Sequence, residues 1–353
     1  MRVLVTGATG FVGKRLVPAL LAAGHDVTAL VRDASRYDPY PSVRVVEGDL
    51  LEAGSFDDAL DVDVAYYLVH SMRSGPGFEE RDRRAAKNFS TAADEHGIGR
   101  VIYLGGLGED RDRLSEHLRS RREVERVLAE GSYALTTLRA AILLGAGSAS
   151  FEMIVQLASR LPVMVTPQWV ETPCQPVFVD DAIAYLVGVL DVPETAGETY
   201  EIGGPDVLTY REILTHVGRI RGREPVIVPI PILSPTLSSL WIGFVTDVPA
   251  TVARPLIEGL KNPVVVRDHR IESLIDVDRT PFDEAVRRAL GYWSDDNSGE
   301  SDGAGDKSNS ASDESDGASD GADGTTAHRI PSADTTAGGE SDRQTNPDPG
   351  TER

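Results

Sequence analysis

Three features of the sequence predict an α/β fold built on a doubly wound parallel sheet, with a smaller C-terminal lobe and a disordered acidic tail. Short apolar runs alternate with helical patterns from residue 2 to residue 140. That alternation loosens from about residue 148 to residue 294. From Asp295 onward the chain is rich in Asp, Ser and Gly, so it cannot bury enough surface to become ordered. We therefore expect three regions, at residues 1–147, 148–294 and 295–353.

The apolar runs of the first region are predicted to be parallel strands because a segment of helix length separates most of them. In order, the predicted elements are the strand "RVLVTG", a helix over 11–23, the strands "HDVTALVRD" and "VRVVEGDL", a short helix near 55–60, the strand "VDVAYYLVH", a helix over 78–96, the strand "RVIYLGGLG", a helix over 115–129 and the strand "YALTTLRAA". Ligands of such sheets bind beyond the carboxyl ends of the strands, so the residues that follow each run are the candidates for a site.

The second region is predicted to complete the sheet and to form a smaller lobe over it. Its elements are the helix "SFEMIVQLASRLP", the strand "QPVFV", the helix "DDAIAYLVGVL", the strand "ETYEIGG" and the helix "TYREILTHVGRIRG" with Thr209 as its cap. Residues 225–246 are uncharged and largely apolar, but four prolines argue against one membrane-spanning helix. We expect a strand followed by a lid over a pocket, and contact with a membrane surface remains open.

The charge pattern bears on partners and setting. The net charge is -21, the tail from Asp295 holds 15 acidic and 4 basic residues, and only four of the 35 basic residues are lysine. Such acidic, lysine-poor surfaces are typical of proteins from high-salt cytoplasm, where salt screens the repulsion; an ordinary acidic surface from a GC-rich genome is the alternative. A nucleic-acid partner is disfavoured because no basic stripe is present.

Cysteine usage and the amino terminus bear on compartment and metals. Cys174 is the only cysteine, so the chain has no internal disulfide, and no cluster of Cys and His indicates a metal site. The chain starts directly on a strand pattern, without a charged and then apolar leader. We expect a cytoplasmic protein without bound metal.

The segment "VTGATGFVGKRL" places Gly7, Gly10 and Gly13 between the first strand and the first helix. Glycine there allows a positive φ and a close approach of the backbone to a pyrophosphate, and the helix N-terminus offers unpaired N–H groups. Glycine spacing alone is weak evidence, because such turns also serve packing. Its position between a strand and an amphipathic helix, with a second βα unit following, makes dinucleotide binding the preferred interpretation.

"TGATGFVG", with "GDL", "YLGGLG", "QPVFVDDAI" and "GETYEIGGPDVLTYREIL", resembles the extended and atypical members of the short-chain dehydrogenase/reductase superfamily, over roughly residues 1–290. Those members include NmrA-like proteins, the epimerases and dehydratases that use NAD, and an accessory subunit of respiratory complex I. The resemblance implies a Rossmann sheet and an NAD(P) site. The residues predicted to bind the cofactor are Gly7, Thr9, Gly10, Phe11, Val12, Gly13, Arg32, Asp49, Leu50, Leu68, Val69, His70, Leu104 and Gly105.

Some of these assignments leave alternatives open. Asp49 and the Leu50 backbone are implied to meet the adenine, but Asp49 also suits a helix cap. His70 suits the cofactor pocket and equally a satisfied core histidine.

The end of the second strand predicts NADP(H) rather than NAD(H). Members that prefer NAD place a carboxylate there, whereas this chain has Val31 followed by Arg32. A guanidinium can bind a 2′-phosphate with two hydrogen bonds, and Lys14 adds a second positive charge beside the turn. A shift of one residue in the strand end would instead bring Asp33 to the ribose.

The catalytic residues of active relatives are largely replaced. Those relatives use a Ser or Thr after the fifth strand and a Tyr-x-x-x-Lys pair on the next helix. Here the serine region reads "YLGGLG", and His117 and Arg121 align with the tyrosine and the lysine. We expect His117 to serve as a proton donor near neutral pH and Arg121 to contact the nicotinamide ribose, although the same helix is also simply amphipathic.

Two hypotheses of function follow. The first is an atypical NADP(H)-dependent oxidoreductase or epimerase-like enzyme that acts on a small-molecule carbonyl compound. The second is a non-catalytic nucleotide-binding module, either a redox sensor or an accessory or assembly factor of a respiratory complex. The loss of Ser and Tyr favours the second, and a well-formed second lobe favours the first. Monomer and dimer are both open.

Overall fold

A computed structural model describes residues 1–38, 40–71, 77–108, 115–230 and 258–291, with the side chains of Glu116 and Ile230 excepted. All of these residues belong to one compact unit. The predicted acidic tail and the predicted lid over residues 231–246 lie outside the described residues. Within the described part, no helix is long and apolar enough to cross a membrane.

The centre of the fold is a parallel sheet to which the described residues contribute seven strands. They are β1 (Arg2–Thr6), β2 (Asp26–Val31), β3 (Arg44–Glu47), β4 (Val64–Tyr67), β5 (Arg100–Gly106), β6 (Ala134–Ala140) and β11 (Thr199–Ile202), in the spatial order β11-β6-β5-β4-β1-β2-β3. The chain runs outward from β1 in one direction through β2 and β3, and then returns to place β4 on the other side of β1. This reversal opens a crevice beyond the carboxyl ends of β1 and β4.

Eight helices of the described part pack around this sheet or in the second region. They are α1 (Gly13–Ala22), α2 (Phe78–Glu95), α3 (Glu116–Leu128), α4 (Ala149–Arg160), α5 (Val179–Gly188), α6 (Tyr210–Ile220), α7 (Arg270–Leu274) and α8 (Phe282–Ala289). Alternate residues of β1 enter two cores, since Val3 and Val5 pack in the cluster that holds Leu16 of α1, while Leu4 packs in the cluster that holds Phe89 of α2. The sheet is thus covered on both faces, and the predicted α/β fold is confirmed.

The second region adds short strands as well as helices. These are β8 (Val163–Pro167), β9 (Pro173–Cys174), β10 (Val177–Phe178), β12 (Leu208–Thr209) and β13 (Val226–Ile230), which are joined by β7 (Leu143–Leu144) from the end of the first region. They form three two-stranded sheets, β7 with β10, β9 with β12 and β8 with β13. The sequence predicts β10, β11 and β13 but not β7, β8, β9 and β12.

Thr209 caps α6 as predicted. Its hydroxyl accepts a hydrogen bond from the Glu212 amide, and the Glu212 carboxylate in turn accepts one from the Thr209 amide at 2.7 Å. This reciprocal capping box satisfies donors that the first turn of a helix otherwise leaves unpaired. It fixes the start of the helix that carries Tyr210 and Leu214 to the site described next.

Candidate functional site

A cleft of about 1010 Å³ lies at the carboxyl ends of the central strands. All sixteen residues that the sequence analysis selects contribute to its lining, namely Gly7, Thr9, Gly10, Phe11, Val12, Gly13, Arg32, Asp49, Leu50, Leu68, Val69, His70, Leu104, Gly105, His117 and Arg121. They come from the ends of β1, β2, β3, β4 and β5 and from α3, so the parallel sheet brings together residues that are more than 100 positions apart.

The turn between β1 and α1 has no room for side chains at two of its glycines. Gly7 has a φ of +69°, and a Cβ there would lie 2.9 Å from the Leu68 carbonyl oxygen. A Cβ on Gly13 would lie 2.3 Å from the Gly7 oxygen. The helix itself has no capping side chain and no acidic residue in its first turn. Its amide groups therefore remain suited to an anionic ligand, and the turn fits the pyrophosphate of a dinucleotide.

The end of β2 carries a basic side chain into the cleft. β2 ends at Val31, and Arg32 is exposed on the cleft lining together with Lys14. Asp33 instead caps the following turn, where its carboxylate accepts hydrogen bonds from the Ser35 amide at 3.1 Å and the Ser35 hydroxyl at 2.6 Å. The carboxylate is therefore engaged by the backbone, and the lining at this point is cationic.

Asp49 shapes a turn and also lines the cleft, and its contact with adenine stays a prediction. One carboxylate oxygen accepts a hydrogen bond from the Leu51 amide at 2.9 Å, which shapes the turn after β3. The residue nevertheless lines the cleft beside Leu50. The contact with Leu51 positions Asp49 without removing it from the lining.

His70 is held by a buried carboxylate on α2. Its Nδ1 lies 2.7 Å from Oδ2 of Asp82, whose side chain is 1% exposed. The other oxygen of Asp82 accepts a hydrogen bond from the Ser71 amide at 2.7 Å, and the Ser120 hydroxyl donates to Oδ2 at 3.0 Å. Burial alone would raise the pKa of Asp82, but the hydrogen bonds from His70 and Ser71 outweigh it and hold that pKa below its ordinary value. The carboxylate is therefore ionised at neutral pH.

His117 lies against His70, with the two ring centroids 5.1 Å apart. Burial lowers the pKa of His117 well below its ordinary value, and the charges of His70 and Arg121 add to the effect. Burial likewise lowers the pKa of His70, and Asp82 compensates only in part. Both rings are thus neutral at neutral pH. The sequence shows no sign of this burial, and the expected role of His117 as a proton donor stays a prediction.

Arg121 is fixed at the end of β5. Its guanidinium donates to the Leu104 carbonyl and lies 5.3 Å from the centre of the Tyr103 ring, and the Tyr103 hydroxyl donates to the Arg121 carbonyl at 3.0 Å. These contacts hold the side chain on the cleft wall one helical turn after His117. The predicted proximity of His117 and Arg121 to the cleft therefore has a structural basis.

The histidine pair makes the fold sensitive to acid. Below the ordinary histidine pKa of 6.5, unfolded chains bind protons that the folded chain excludes, so the free energy of unfolding falls as pH decreases. Asp82 acts in the same direction at lower pH, and the Arg121 charge opposes protonation. We expect the melting temperature to drop between pH 7 and pH 5, and to drop less in His117→Gln. Thermal unfolding in buffers of constant salt measures this, and equal drops in both proteins would contradict it.

Gly105 and Gly106 stand where active relatives have the serine, and neighbouring side chains lie close to both. A Cβ on Gly106 would lie 2.9 Å from Cδ2 of Leu118, and one on Gly105 would lie 3.1 Å from the Tyr103 ring. The predicted loss of the serine is thus accompanied by tight packing at both glycines. At the end of β5, glycine therefore stands at both positions where the sequence comparison places the usual serine.

Asp82 and Ser120 are functional candidates that the sequence analysis misses. Asp82 falls on the buried stripe of α2, at helical spacing from Phe78 and Phe89. A carboxylate on an otherwise apolar stripe is unusual unless it is paired, so the spacing carries a signal for a buried partner. Which residue pairs with Asp82 depends on the packing of α2 against β4 and α3, and no local pattern in the sequence specifies that packing.

The far end of the cleft is apolar. It is lined by Met153, Ile154 and Leu157 of α4, by Trp169, and by Leu214 of α6. These side chains belong to the second region, as does the Tyr210 that also lines the cleft. Within the described ranges, no group of His, Cys, Asp and Glu residues could hold a metal ion. The cleft thus joins a polar, cationic end to an apolar one.

Comparison with known proteins identifies the domain that contributes the glycine turn to the cleft. Residues 7–146 match the family model described as NAD(P)H-binding. The chain carries an NAD(P)H-binding domain. The domain contains the glycine turn, Arg32, Asp49, the histidine pair and Arg121. The match confirms the predicted NAD(P)-binding domain over these residues.

Individual relatives of the NAD(P)H-binding domain have different functions. The chain is 30% identical over 227 residues to the mitochondrial NADH dehydrogenase [ubiquinone] 1 alpha subcomplex subunit 9 of Arabidopsis thaliana, covering 59% of this chain and 55% of that protein. It is 27% identical over 237 residues to the ceramide reductase of Caulobacter vibrioides, covering 65% and 73%. The solved structure of a nucleoside-diphosphate-sugar epimerase from Staphylococcus aureus matches with a TM-score of 0.67 at 14% identity, covering 81% of this chain and 100% of that one. The epimerase supports the fold alone.

Proposed function

We propose that this protein is an NADP(H)-dependent oxidoreductase or epimerase-like enzyme that acts on a carbonyl compound with an apolar portion. The observation that carries the proposal is the continuity of the cleft. One cavity contains the glycine turn, the His117 and Arg121 side chains and the apolar wall of the second region. A dinucleotide site that shares one cleft with two imidazoles and an apolar wall is compatible with hydride transfer to a carbonyl.

The preference for NADP(H) rests on the charges at the end of β2. Arg32 and Lys14 both line the cleft, while Asp33 is engaged with Ser35. A 2′-phosphate would meet two cations there and no free carboxylate. Charge-assisted pairing of this kind strongly favours the phosphorylated cofactor.

Arg32→Ala tests this preference. We expect NADPH to bind about 10- to 100-fold more weakly, since a hydrogen bond to a charged group is worth about 1.5–3 kcal/mol. NADH affinity should change by less than about threefold, because NADH has no phosphate at that position. Fluorescence titration with both cofactors measures the two affinities. Arg36→Ala is the matched control, because Arg36 is exposed and absent from the cleft lining; equal losses for NADPH and NADH in Arg32→Ala would refute the assignment.

The substrate class follows from the apolar wall. Met153, Ile154, Leu157 and Leu214 offer no hydrogen-bonding groups, so they suit an aliphatic or aromatic part of a substrate. The similarity to a ceramide reductase points in the same direction. The carbonyl would lie near His117, between this wall and the nicotinamide ribose.

The chemistry at the carbonyl then depends on the neutral imidazoles. The nicotinamide, when bound, supplies or takes up the hydride. His117 exchanges the proton at the substrate oxygen, and Arg121 on the same wall bonds the nicotinamide ribose.

A non-catalytic NAD(P)-binding protein is the second candidate. The packed glycines at the serine position and the similarity to a complex I subunit favour it. The two candidates differ in one measurable property. An enzyme oxidises bound NADPH when its substrate is added, whereas a sensor or accessory subunit only binds it.

A single-turnover assay distinguishes them. Protein loaded with NADPH in molar KCl is mixed with pools of aldehydes, ketones, quinones and sugar nucleotides, including long-chain ketones, while the absorbance of the reduced nicotinamide is followed. Loss of absorbance that requires the protein would support the enzyme. Tight NADPH binding without loss in any pool would favour the second candidate. The expected cytoplasmic, high-salt setting and the monomer or dimer state stay predictions.

A further inference from the structure

Two ring nitrogens in the cleft are buried without a partner. They are Nε2 of His70 and Nδ1 of His117, and neither has a hydrogen bond within the described part of the chain. The two rings are neighbours, with centroids 5.1 Å apart and planes inclined by 57°. Leaving both atoms unsatisfied in a buried place is costly, and a hydrogen bond between them after a small ring rotation would satisfy both.

Asp82 determines the direction of such a bond. An ionised carboxylate can only accept hydrogen bonds, so His70 must carry its proton on Nδ1, the atom that lies 2.7 Å from Oδ2. The amide of Ser71 and the hydroxyl of Ser120 bond the same carboxylate and hold it in place. Nε2 of His70 is then an acceptor, and a partner for it must be a donor.

We propose that Nδ1–H of His117 donates to Nε2 of His70, so that Asp82 acts through His70 to fix the tautomer of His117. In this relay, defined as His117, His70 and Asp82, Nε2 of His117 is left as a proton acceptor in the cleft. His117 is the residue that meets the substrate, and His70 and Asp82 are positioning residues. The catalytic role of the relay rests on the proposed oxidoreductase function. The tautomers assigned to His70 and His117 do not depend on that function.

The relay accounts for the proton that is transferred in both directions of the proposed reaction. As an alcohol is oxidised, its C–H hydride passes to the oxidised nicotinamide cofactor and its O–H proton passes to Nε2 of His117, and a C=O bond forms. The resulting imidazolium is stabilised by the hydrogen bond to His70 and by the Asp82 carboxylate behind it. In reduction the same proton returns from His117 to the substrate oxygen as the hydride arrives. Arg121 is a cation near this pair, and its charge lowers the pKa of His117.

The tautomers are measured directly by nitrogen NMR of the full chain labelled with ¹⁵N-histidine, with His70→Gln and His117→Gln used to assign the signals. In the wild type we expect both His70 and His117 to carry the proton on Nδ1. A wild-type spectrum in which either ring carries it on Nε2 would overturn the relay, whether or not any variant folds.

Asp82→Asn reverses the donor direction at the buried end. The new amide donates to Nδ1 of His70, so His70 should move its proton to Nε2, and His117 should follow with its proton on Nε2. Turnover of any substrate found should fall by at least about 100-fold. If His117 keeps its proton on Nδ1 in Asp82→Asn, its tautomer is not set through His70 and the relay is wrong.

Two control variants distinguish an effect on the histidine tautomers from a general effect on packing. Ser120→Ala removes one hydrogen bond to the same oxygen of Asp82 without reversing a donor, so both tautomers should remain. Asp283→Asn repeats the Asp-to-Asn change at His216, whose Nδ1 lies 2.7 Å from Asp283 on a surface away from the cleft lining. It should leave His70 and His117 unchanged; an altered tautomer of either residue in either control would contradict the relay.

The measurements also separate this inference from the proposed function. Both Nδ1–H tautomers without turnover in any substrate pool would support the relay and count against the oxidoreductase. Turnover with a different tautomer at His117 would support the oxidoreductase and overturn the relay alone.

Discussion

Replacing His117 with glutamine is expected to lower the turnover number by about 10²- to 10⁴-fold, which is the usual contribution of a positioned acid or base. Glutamine keeps a polar side chain of similar reach, but it cannot take up a proton at neutral pH. NADPH affinity should change little, because the glycine turn and Arg32, which we propose bind the opposite end of the cofactor, are left unaltered. The rate constant of single turnover at saturating NADPH, measured beside a binding titration, tests both statements.

The matched control is His216→Gln. His216 also pairs with a carboxylate through Nδ1, but it does not contribute to the cleft lining. Its replacement should leave single turnover within about twofold, since no reacting group is altered. Unchanged turnover in His117→Gln would remove His117 from the chemistry, and an equal loss in both variants would indicate a general effect on the fold.

Gly13→Ala should have the largest effect on the fold and on cofactor binding together. The added methyl would lie 2.3 Å from the Gly7 oxygen and 2.7 Å from Cα of Ala8, both backbone atoms that cannot rotate away. Overpacking of this kind costs about 3 kcal/mol or more, which corresponds to a fall in melting temperature of about 5–10 °C. Because the start of α1 must move, NADPH affinity should fall at least about tenfold. Calorimetry and a binding titration measure the two effects.

Gly99→Ala is the control for the loss of a glycine. A Cβ on Gly99 would meet the Asp63 carbonyl oxygen at 3.7 Å, an ordinary contact distance, and Gly99 does not line the cleft. Its melting temperature and NADPH affinity should stay close to those of the wild type. A Gly13→Ala protein that binds NADPH normally would show that the turn tolerates a side chain, contrary to the close packing of Gly7 and Gly13.

The nucleotide end of the site could be predicted from the sequence because its signals are local. Gly7, Gly10 and Gly13 follow directly on β1, and Arg32 follows directly on β2. Strand ends, turns and helix starts are specified by neighbouring residues, so one segment contains the whole signal. The same holds for Thr209, whose capping box spans four consecutive residues.

The cluster formed by His70, Asp82 and His117 could not be predicted in the same way. His70, Asp82 and His117 come from the end of β4, from α2 and from α3, and they meet only when these elements pack. The low pKa of His117 is a property of that packing. The pairing of β8 with β13, more than 60 residues apart, is equally non-local, and the sequence shows no pattern for β8.

The position of β11 has a consequence for how the polypeptide can be divided. β11 follows the family match by more than 50 residues, yet it pairs along four residues of β6 and forms the last strand of the central sheet. A fragment that stopped at residue 147 would leave the backbone donors and acceptors of β6 open along that side, which is the kind of exposed edge through which chains recruit one another into aggregates. The central sheet is therefore completed by a strand from outside the family match, and we expect a fragment ending at residue 147 to be more prone to aggregation than the full chain.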